Sequence, residues 1–328
     1  MKSEKEIIES NYALQKMYKI HEYLLNDDVT EIMLNADGYI RIEDKTRKYM
    51  TDIHFNDDEA MLIIRAVTSE NQKEMSRDKN SIISGILATG DRFEGISGQE
   101  SKNKTIFCIR KKARKIYTLD EYVKSQIITI EEKKYIIEKI LERKNILIIG
   151  GTGSGKTTFI NACLNEFSES ETRFIILEDT DEIQCSAPDR VKLESSEKTP
   201  MSRLMQSTLR LRPDVIIVGE MRSGEEVLSL LEAWNTGHNG GLSTVHANNC
   251  IGGIYRLQQL LMNHNKIIPQ HSASFIANSV DILINIQKVK GKRKITEIAE
   301  IQGYDYTTNE FKLQNVNVKG GENGNSIL

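Results

Sequence analysis

The chain has 328 residues, long enough for two domains that each bury a core of ordinary size. Charged residues make up 28% of it, yet the net charge is only -3, which excludes the global positive field behind non-specific nucleic-acid binding; contact with a polyanion falls to a local patch. The cysteines Cys108, Cys163, Cys185 and Cys250 form no close pair, which excludes a zinc ribbon and a disulfide framework, and they read as small core residues of a reducing compartment.

The opening "MKSEKEIIESNY" alternates charge and lacks the apolar core of a signal peptide, and no apolar run reaches the ~18 residues that span a bilayer. The expected location is cytoplasmic, with any membrane association peripheral, at the inner face of the cell membrane. Ile7, Ile8, Leu14, Met17, Tyr18, Leu24 and Leu25 recur at helical spacing and predict an amphipathic helix over residues 4–25. "VTEIMLNADGYIRIED" then reads as a hairpin around Asn35-Ala-Asp-Gly38, and Asn56 as the cap of a helix whose first turn is acidic. Strands follow in "ISGILATGDRFEGISG" and "KTIFCIRKK". This mixture predicts an α+β domain over 1–115. Two polar helix starts, "TLDEYV" and "TIEEKKYIIEKILERK", mark a junction and linker over 116–130. Over 131–318 the runs "NILIIG", "RFIILED" and "DVIIVGE" alternate with helical segments, the pattern of buried parallel strands joined by crossover helices in an α/β domain. "DILINIQKV" and "ITEIAEIQGYD" form a hairpin around a basic run, and the Gly/Asn-rich tail 319–328 reads as disordered. Of the two basic patches, "RKKARK" (110–115) and "KVKGKRK" (288–294), the second has the plain reading of a solvated hairpin.

"GGTGSGKTT" carries the chemistry. Gly150, Gly155, Lys156 and Thr157 match G-x-x-x-x-G-K-[ST] between an apolar strand and a helix, the context its mechanism requires. Gly150, Gly151, Gly153 and Gly155 let the backbone approach an anion, and the following helix adds its positive end. The nucleotide-binding residues are Gly151, Thr152, Gly153, Ser154, Gly155, Lys156, Thr157 and Thr158, with Lys156 on the β- and γ-phosphates and the Thr157 hydroxyl on Mg²⁺. No N-K-x-D guanine reader is present, so ATP is the expected nucleotide. On this motif alone a metabolic kinase stays open.

Three further segments follow: "FIILEDTDEIQ", ending a buried strand in Glu178 and Asp179; "LRLRPDVIIVGEMRSGEE", ending another in Gly219 and Glu220; and "NTGHNGGLSTVHANN", with His238 and His246 in a polar loop lacking zinc spacing. A carboxylate beside the γ-phosphate can orient a water for in-line attack. Glu220 is the first candidate and Glu178 the second; the plain reading of Glu178 is a capping or salt-bridging acid.

In this order the four segments resemble the Walker A, Asp box, Walker B and His box of the secretion ATPase superfamily, which serves type II secretion, type IV pili and type IV secretion. "DDVTEIMLNADGYIRIED" and "FCIRKKARKIYTLDEYV" also look like the N-terminal domain of conjugal transfer ATPases of the TrbB type. The resemblance implies a RecA-like P-loop ATPase domain behind a smaller N-terminal domain, and a homo-oligomer, a hexamer, that hydrolyses ATP with Mg²⁺ to power type IV secretion or conjugation. Its partners would be inner-membrane secretion proteins, with no direct nucleic-acid binding implied. By the same resemblance His238 and His246 sense the γ-phosphate, and Arg92 in "GDRFEG" and Arg110 in "FCIRKK" approach it, leaving Lys111, Lys112 and Lys115 solvated. Arg210, Arg212 and Arg222 flank the Walker B strand as unranked phosphate sensors. A pilus or type II secretion motor is the alternative inside the family; a small-molecule kinase and a non-hydrolysing scaffold are the alternatives outside it.

Overall fold

The computed structural model describes residues 3–71, 81–102, 104–167, 171–196, 198–265 and 269–316, in two compact units, Met1–Lys115 and Ile116–Leu328. The tail 319–328, expected as disordered, lies outside the described residues.

The first unit opens with three short helices, α1 (Glu4–Ser10), α2 (Tyr12–Lys16) and α3 (His21–Leu25), where the apolar spacing predicts one. The chain breaks at Asn11, whose extended backbone and side chain cap α2 through the Leu14 N–H. Glu70 secures the break by accepting from Asn11 Nδ2 and the Ala13 N–H. The strands β1 (Val29–Leu34) and β2 (Tyr39–Asp44) form the expected hairpin, turning through Gly38 at φ +82°. With β3 (Lys48–His54), β4 (Ser81–Ile86), β5 (Arg92–Ser97) and β6 (Ile106–Arg110) they build a six-stranded sheet in the order β3-β2-β1-β6-β5-β4, antiparallel throughout. The helix α4 (Asp57–Glu70) starts at the Asn56–Glu59 capping box and buries Ile63, Ile64 and Val67 in one core with Ile32, Ile42, Phe93 and Ile109.

The basic run after β6 departs from its solvated reading. Lys111 is half-buried, and its Nζ donates to the carbonyls of Tyr23, Leu24 and Asn26 at 3.1, 2.5 and 2.8 Å, closing the end of α3. Three acceptors require the ammonium form, although burial, with Arg114 nearby, pulls the lysine down to about 8. Arg114 pairs with Glu4 and with the buried Asp91.

The second unit is a wound α/β layer. Its eight strands run β14-β13-β12-β7-β11-β10-β8-β9. They are β7 (Ile146–Ile149), β8 (Phe174–Glu178), β9 (Arg190–Glu194), β10 (Val215–Val218), β11 (Leu242–Val245), β12 (Ile282–Val289), β13 (Lys292–Asp305) and β14 (Glu310–Asn315). From β12 to β9 every pairing is parallel, and β13 and β14 add antiparallel strands at one edge. The apolar runs are continuous because both faces are covered: Ile146, Ile148, Ile176 and Ile217 face one core, Leu147, Ile149, Leu177 and Val218 the other. The first core takes α5 (Leu119–Lys124), α6 (Ile130–Leu141) and α7 (Lys156–Leu164); the second takes α8 (Met201–Thr208), α9 (Gly224–Asn235), α10 (Cys250–Asn265) and α11 (Pro269–Ser279).

Residues 116–130 therefore do not form the expected linker. Leu119, Tyr122 and Ile128 are buried with Phe159 and Ile160, because α5 and α6 turn apolar faces into this core. Trp234, without a role in the sequence pattern, fills the second core beside Gly241, where a Cβ would stand 2.0 Å from its Nε1. No helix among the described residues is long and apolar enough to cross a membrane.

Candidate functional site

The phosphate loop leaves the end of β7. Gly153 and Gly155 lie at φ +67° and +102°, left-handed backbone that other residues rarely adopt. Gly150 is needed for closeness instead: a Cβ there would stand 2.3 Å from the Ile286 carbonyl oxygen and 2.5 Å from Ser154 Oγ. Gly155 is the N-cap of α7 and has no side chain with which to cap the first turn of that helix. Ser154 Oγ is buried without a hydrogen-bond partner among the described residues, and Gly151 and Thr152 face solvent. This cradle of glycine backbone, a helix N-terminus, a buried hydroxyl and a lysine has the chemistry of a polyphosphate site. The half-buried Thr157 in the first turn would offer Mg²⁺ the hard oxygen donor that this ion prefers.

Lys156 is buried, and its Nζ donates to the carbonyls of Gly150 and Gly151 at 2.9 and 3.1 Å. It also meets His246 Nδ1 at 3.3 Å, while His246 Nε2 lies 2.7 Å from Glu220 Oε1. An ammonium only donates and a carboxylate only accepts, so the ring is placed as the Nε2–H tautomer, accepting from Lys156 and donating to Glu220. Glu220 is held from its other side by Arg222, whose Nη2 and Nε donate to Oε2 at 2.7 and 3.0 Å. Arg222 Nη1 continues to Asp179 Oδ2 at 2.6 Å, and Ser195 Oγ donates to Asp179 Oδ1 at 2.6 Å. Below the carboxylate, Thr244 Oγ1 donates to the Gly219 carbonyl and the Met221 N–H to the Thr244 carbonyl, tying β10 to β11.

The structure separates the two candidate acids. Glu178 is 4% exposed, and its Oε2 accepts from the main-chain amides of Glu182 and Ile183, both at 2.8 Å. Lys192 Nζ sits 3.2 Å from Oε1. Burial pushes this carboxyl above the ordinary glutamate range against the pull of those amides and Lys192. Glu178 thus folds the turn after β8, and the adjacent Asp179 is the residue that joins the polar chain around Glu220. Asp179 was visible in sequence only as the second acid of "LED"; its partner, Arg222, was among the unranked arginines.

The two histidines also part. His246 follows β11 at the phosphate-loop edge, whereas His238 precedes β11, with Nδ1 3.3 Å from the Ala233 carbonyl at the end of α9. A strand of this length carries the chain about 13 Å. The fold therefore does not bring His238 to the phosphate loop of its own chain. Arg92 and Arg110 are cross-strand partners on β5 and β6 of the first unit. Arg210 and Arg212 are exposed. The basic run 288–294, by contrast, reaches the loop, with Arg293 Cδ and Nε each 3.0 Å from where a Gly155 Cβ would stand.

A phosphate loop after β7, a carboxylate after β10 and a single strand inserted between them define a P-loop protein of the RecA-like kind. Residues 103–311 match the family model described as "Type II/IV secretion system protein". The chain is 41% identical over 283 residues to the conjugal transfer protein TrbB of Rhizobium radiobacter, covering 85% of this chain and 86% of that one. It is 26% identical over 330 residues to the type IV secretion system protein VirB11 of Bartonella quintana, covering 87% and 92%. Among solved structures, the Legionella pneumophila ATPase DotB shares the fold at TM-score 0.63 and 19% identity, over 87% of this chain and 80% of that one. The chain belongs to the type II/IV secretion system protein family.

Proposed function

We propose that the chain hydrolyses ATP and uses the change to drive a type IV secretion or conjugation apparatus. The observation that carries the reading is the chain Lys156–His246–Glu220, which sets the loop's cation and a half-buried carboxylate on either side of one imidazole. The match to a conjugal transfer protein over most of both chains supports conjugation over a pilus role. The working form in this reading is a homo-oligomer, a hexameric ring, cytoplasmic and peripheral to inner-membrane partner proteins.

In this reading the loop amides from Gly151 to Thr158 and the Lys156 ammonium bind the phosphates, and Thr157 would hold Mg²⁺. Bound there, Mg²⁺ would neutralise charge developing on the β- and γ-phosphate oxygens. Glu220 accepts a hydrogen bond from water and takes its proton as the oxygen attacks the γ-phosphorus. The bond to the β–γ bridging oxygen breaks, leaving ADP and inorganic phosphate. His246 orients Glu220, Arg222 ties it to Asp179, and Glu178 anchors the turn that carries Asp179. Arg92 and Arg110 keep the phosphate-sensing role that the family resemblance implies, and His238 has no part in the chemistry of its own chain.

Purified protein with Mg-ATP and no acceptor should release phosphate, and Lys156→Ala should abolish this while weakening ATP binding at least about a hundredfold, since it removes a charge-assisted contact at the transferred group. Phosphate release by Lys156→Ala at the wild-type rate would overturn the site. Transfer only to an added small molecule would make the chain a kinase, and rings formed on ATP without any release would make it a scaffold.

A further inference from the structure

The hairpin of β12 and β13 lies along one wall of the phosphate loop. β12 pairs with β7 as far as Asn285 opposite Ile149, then runs on to Val289 beside the loop that leaves β7. Three loop glycines record the approach. A Cβ on Gly150 would stand 2.3 Å from the Ile286 carbonyl oxygen, one on Gly153 4.0 Å from Lys288 Nζ, and one on Gly155 3.0 Å from Arg293 Cδ and Nε. Lys288 and Arg293 are cross-strand partners, so the two cations act from one place. Arg293 is half-buried, and its Nε is enclosed with no hydrogen-bond partner among the described residues. An enclosed guanidinium donor is costly to leave unpaired, and an anion on the loop would satisfy it.

The sheet order says which end of the anion this is. β7 has β11 on one side and β12 on the other. His246 and Glu220 stand on the β11 side, where the bond to the terminal phosphate is cut in the reading above. A nucleotide gripped at its middle phosphate, with its terminal phosphate toward Glu220, turns its inner phosphate and sugar toward β12.

We propose that Arg293, assisted by Lys288, binds the α-phosphate and ribose end of the nucleotide and so adds affinity for ATP and ADP alike. Arg293 supplies a planar fork for phosphate oxygens and Lys288 a mobile point charge. The proposal rests on the nucleotide reading and adds a second cationic contact to the lysine of the loop.

Calorimetric titration of Arg293→Ala with Mg-ADP and with Mg-ATP tests it. Both affinities should fall about tenfold, as for loss of one charge-assisted hydrogen bond, and Lys288→Ala should lower both about threefold. Lys288→Glu, on an exposed side chain, should cost about tenfold and carries the test if Arg293→Ala melts early. Unchanged ADP affinity in these variants, or a loss confined to ATP, overturns the proposal. If the wild type binds ADP and Lys156→Ala does not, the loop reading stands whatever the hairpin variants do. If the wild type binds neither nucleotide, that reading falls and this one with it.

Discussion

Glu178 ends β8 and Glu220 follows β10, its neighbour in the sheet, and substitution separates their duties. Glu220→Gln keeps shape and hydrogen-bonding reach and removes one charge. Its partners Arg222 and His246 have side chains 54% and 44% exposed, so the fold loses little, below about 1 kcal/mol. Chemistry loses its proton acceptor, and turnover should fall roughly 10²- to 10³-fold. Glu178→Gln retains an acceptor for the amides of Glu182 and Ile183, and Lys192 keeps the Ile183 carbonyl and Asp181. Because burial already disfavours the ionised form of Glu178, a neutral glutamine should fold as well as the wild type and turn over within about tenfold of it. Glu178→Ala instead strands two main-chain N–H groups in the interior, at about 1–3 kcal/mol each. For a unit of this size the two together lower Tm by roughly 4–24 °C. Phosphate release at saturating Mg-ATP, with a melting curve for each protein, reads all three. If Glu178→Gln melts like the wild type but loses turnover a hundredfold while Glu220→Gln stays active, the water-activating group has been assigned to the wrong acid.

The raised Glu178 carboxyl also sets a pH dependence. The folded state holds this proton more tightly than the unfolded one, so stability is greatest below the ordinary glutamate range and declines as pH rises through the folded value. Urea-unfolding free energies of wild type minus Glu178→Gln should therefore fall with pH from that range upward and then level off; a rising difference would contradict the burial argument. At the opposite sheet edge, Asn145 is 3% exposed, with Oδ1 accepting from the amides of Gly240 and Gly241 and Nδ2 donating to the Ser279 carbonyl. Asn145→Ala leaves those three groups unpaired and should lower the unfolding free energy by about 3–5 kcal/mol at unchanged m-value, whereas a loss under about 1 kcal/mol would show that water replaces the amide.

Local rules made much of this readable. The loop glycines, the caps at Asn56, Thr118 and Thr129 and the Asn-Ala-Asp-Gly turn each answer to neighbours a few residues away, and each sits where the pattern puts it. What stayed hidden depends on contacts between distant segments. Asn11 breaks a helix because Glu70 receives it, Lys111 is buried because it meets the end of α3, and residues 116–130 look like a linker until the sheet they cover is known. The run 288–294 has the composition of a solvated hairpin. Only the pairing of β12 with β7 lays it against glycines far earlier in the chain.

The same dependence explains why the motif order along the chain differs from the order in space. In sequence the chemistry runs Lys156, Asp179, Glu220, His246. Each follows or ends the lead-out of a parallel strand, β7, β8, β10 and β11, and so all four gather at one carboxyl edge. Adjacent strands lie about 4.8 Å apart, close enough for side chains leaving neighbouring strands to meet directly and too far for those leaving strands one removed. The sheet order β7-β11-β10-β8 therefore turns the four into a contiguous polar chain: Lys156 to His246, His246 to Glu220, Glu220 through Arg222 to Asp179. Insertion of β11 between β7 and β10 is what gives His246 its position. Without that strand the lysine of the loop and the carboxylate would stand on neighbouring strands; with it, the path from the Lys156 ammonium to the Glu220 carboxylate runs through a ring that accepts from one and donates to the other. On the proposed reading, drawing the Lys156 ammonium toward a phosphate and away from the Gly150 and Gly151 carbonyls would reach Glu220 through a single hydrogen-bonded ring, and the Asp179 turn through Arg222.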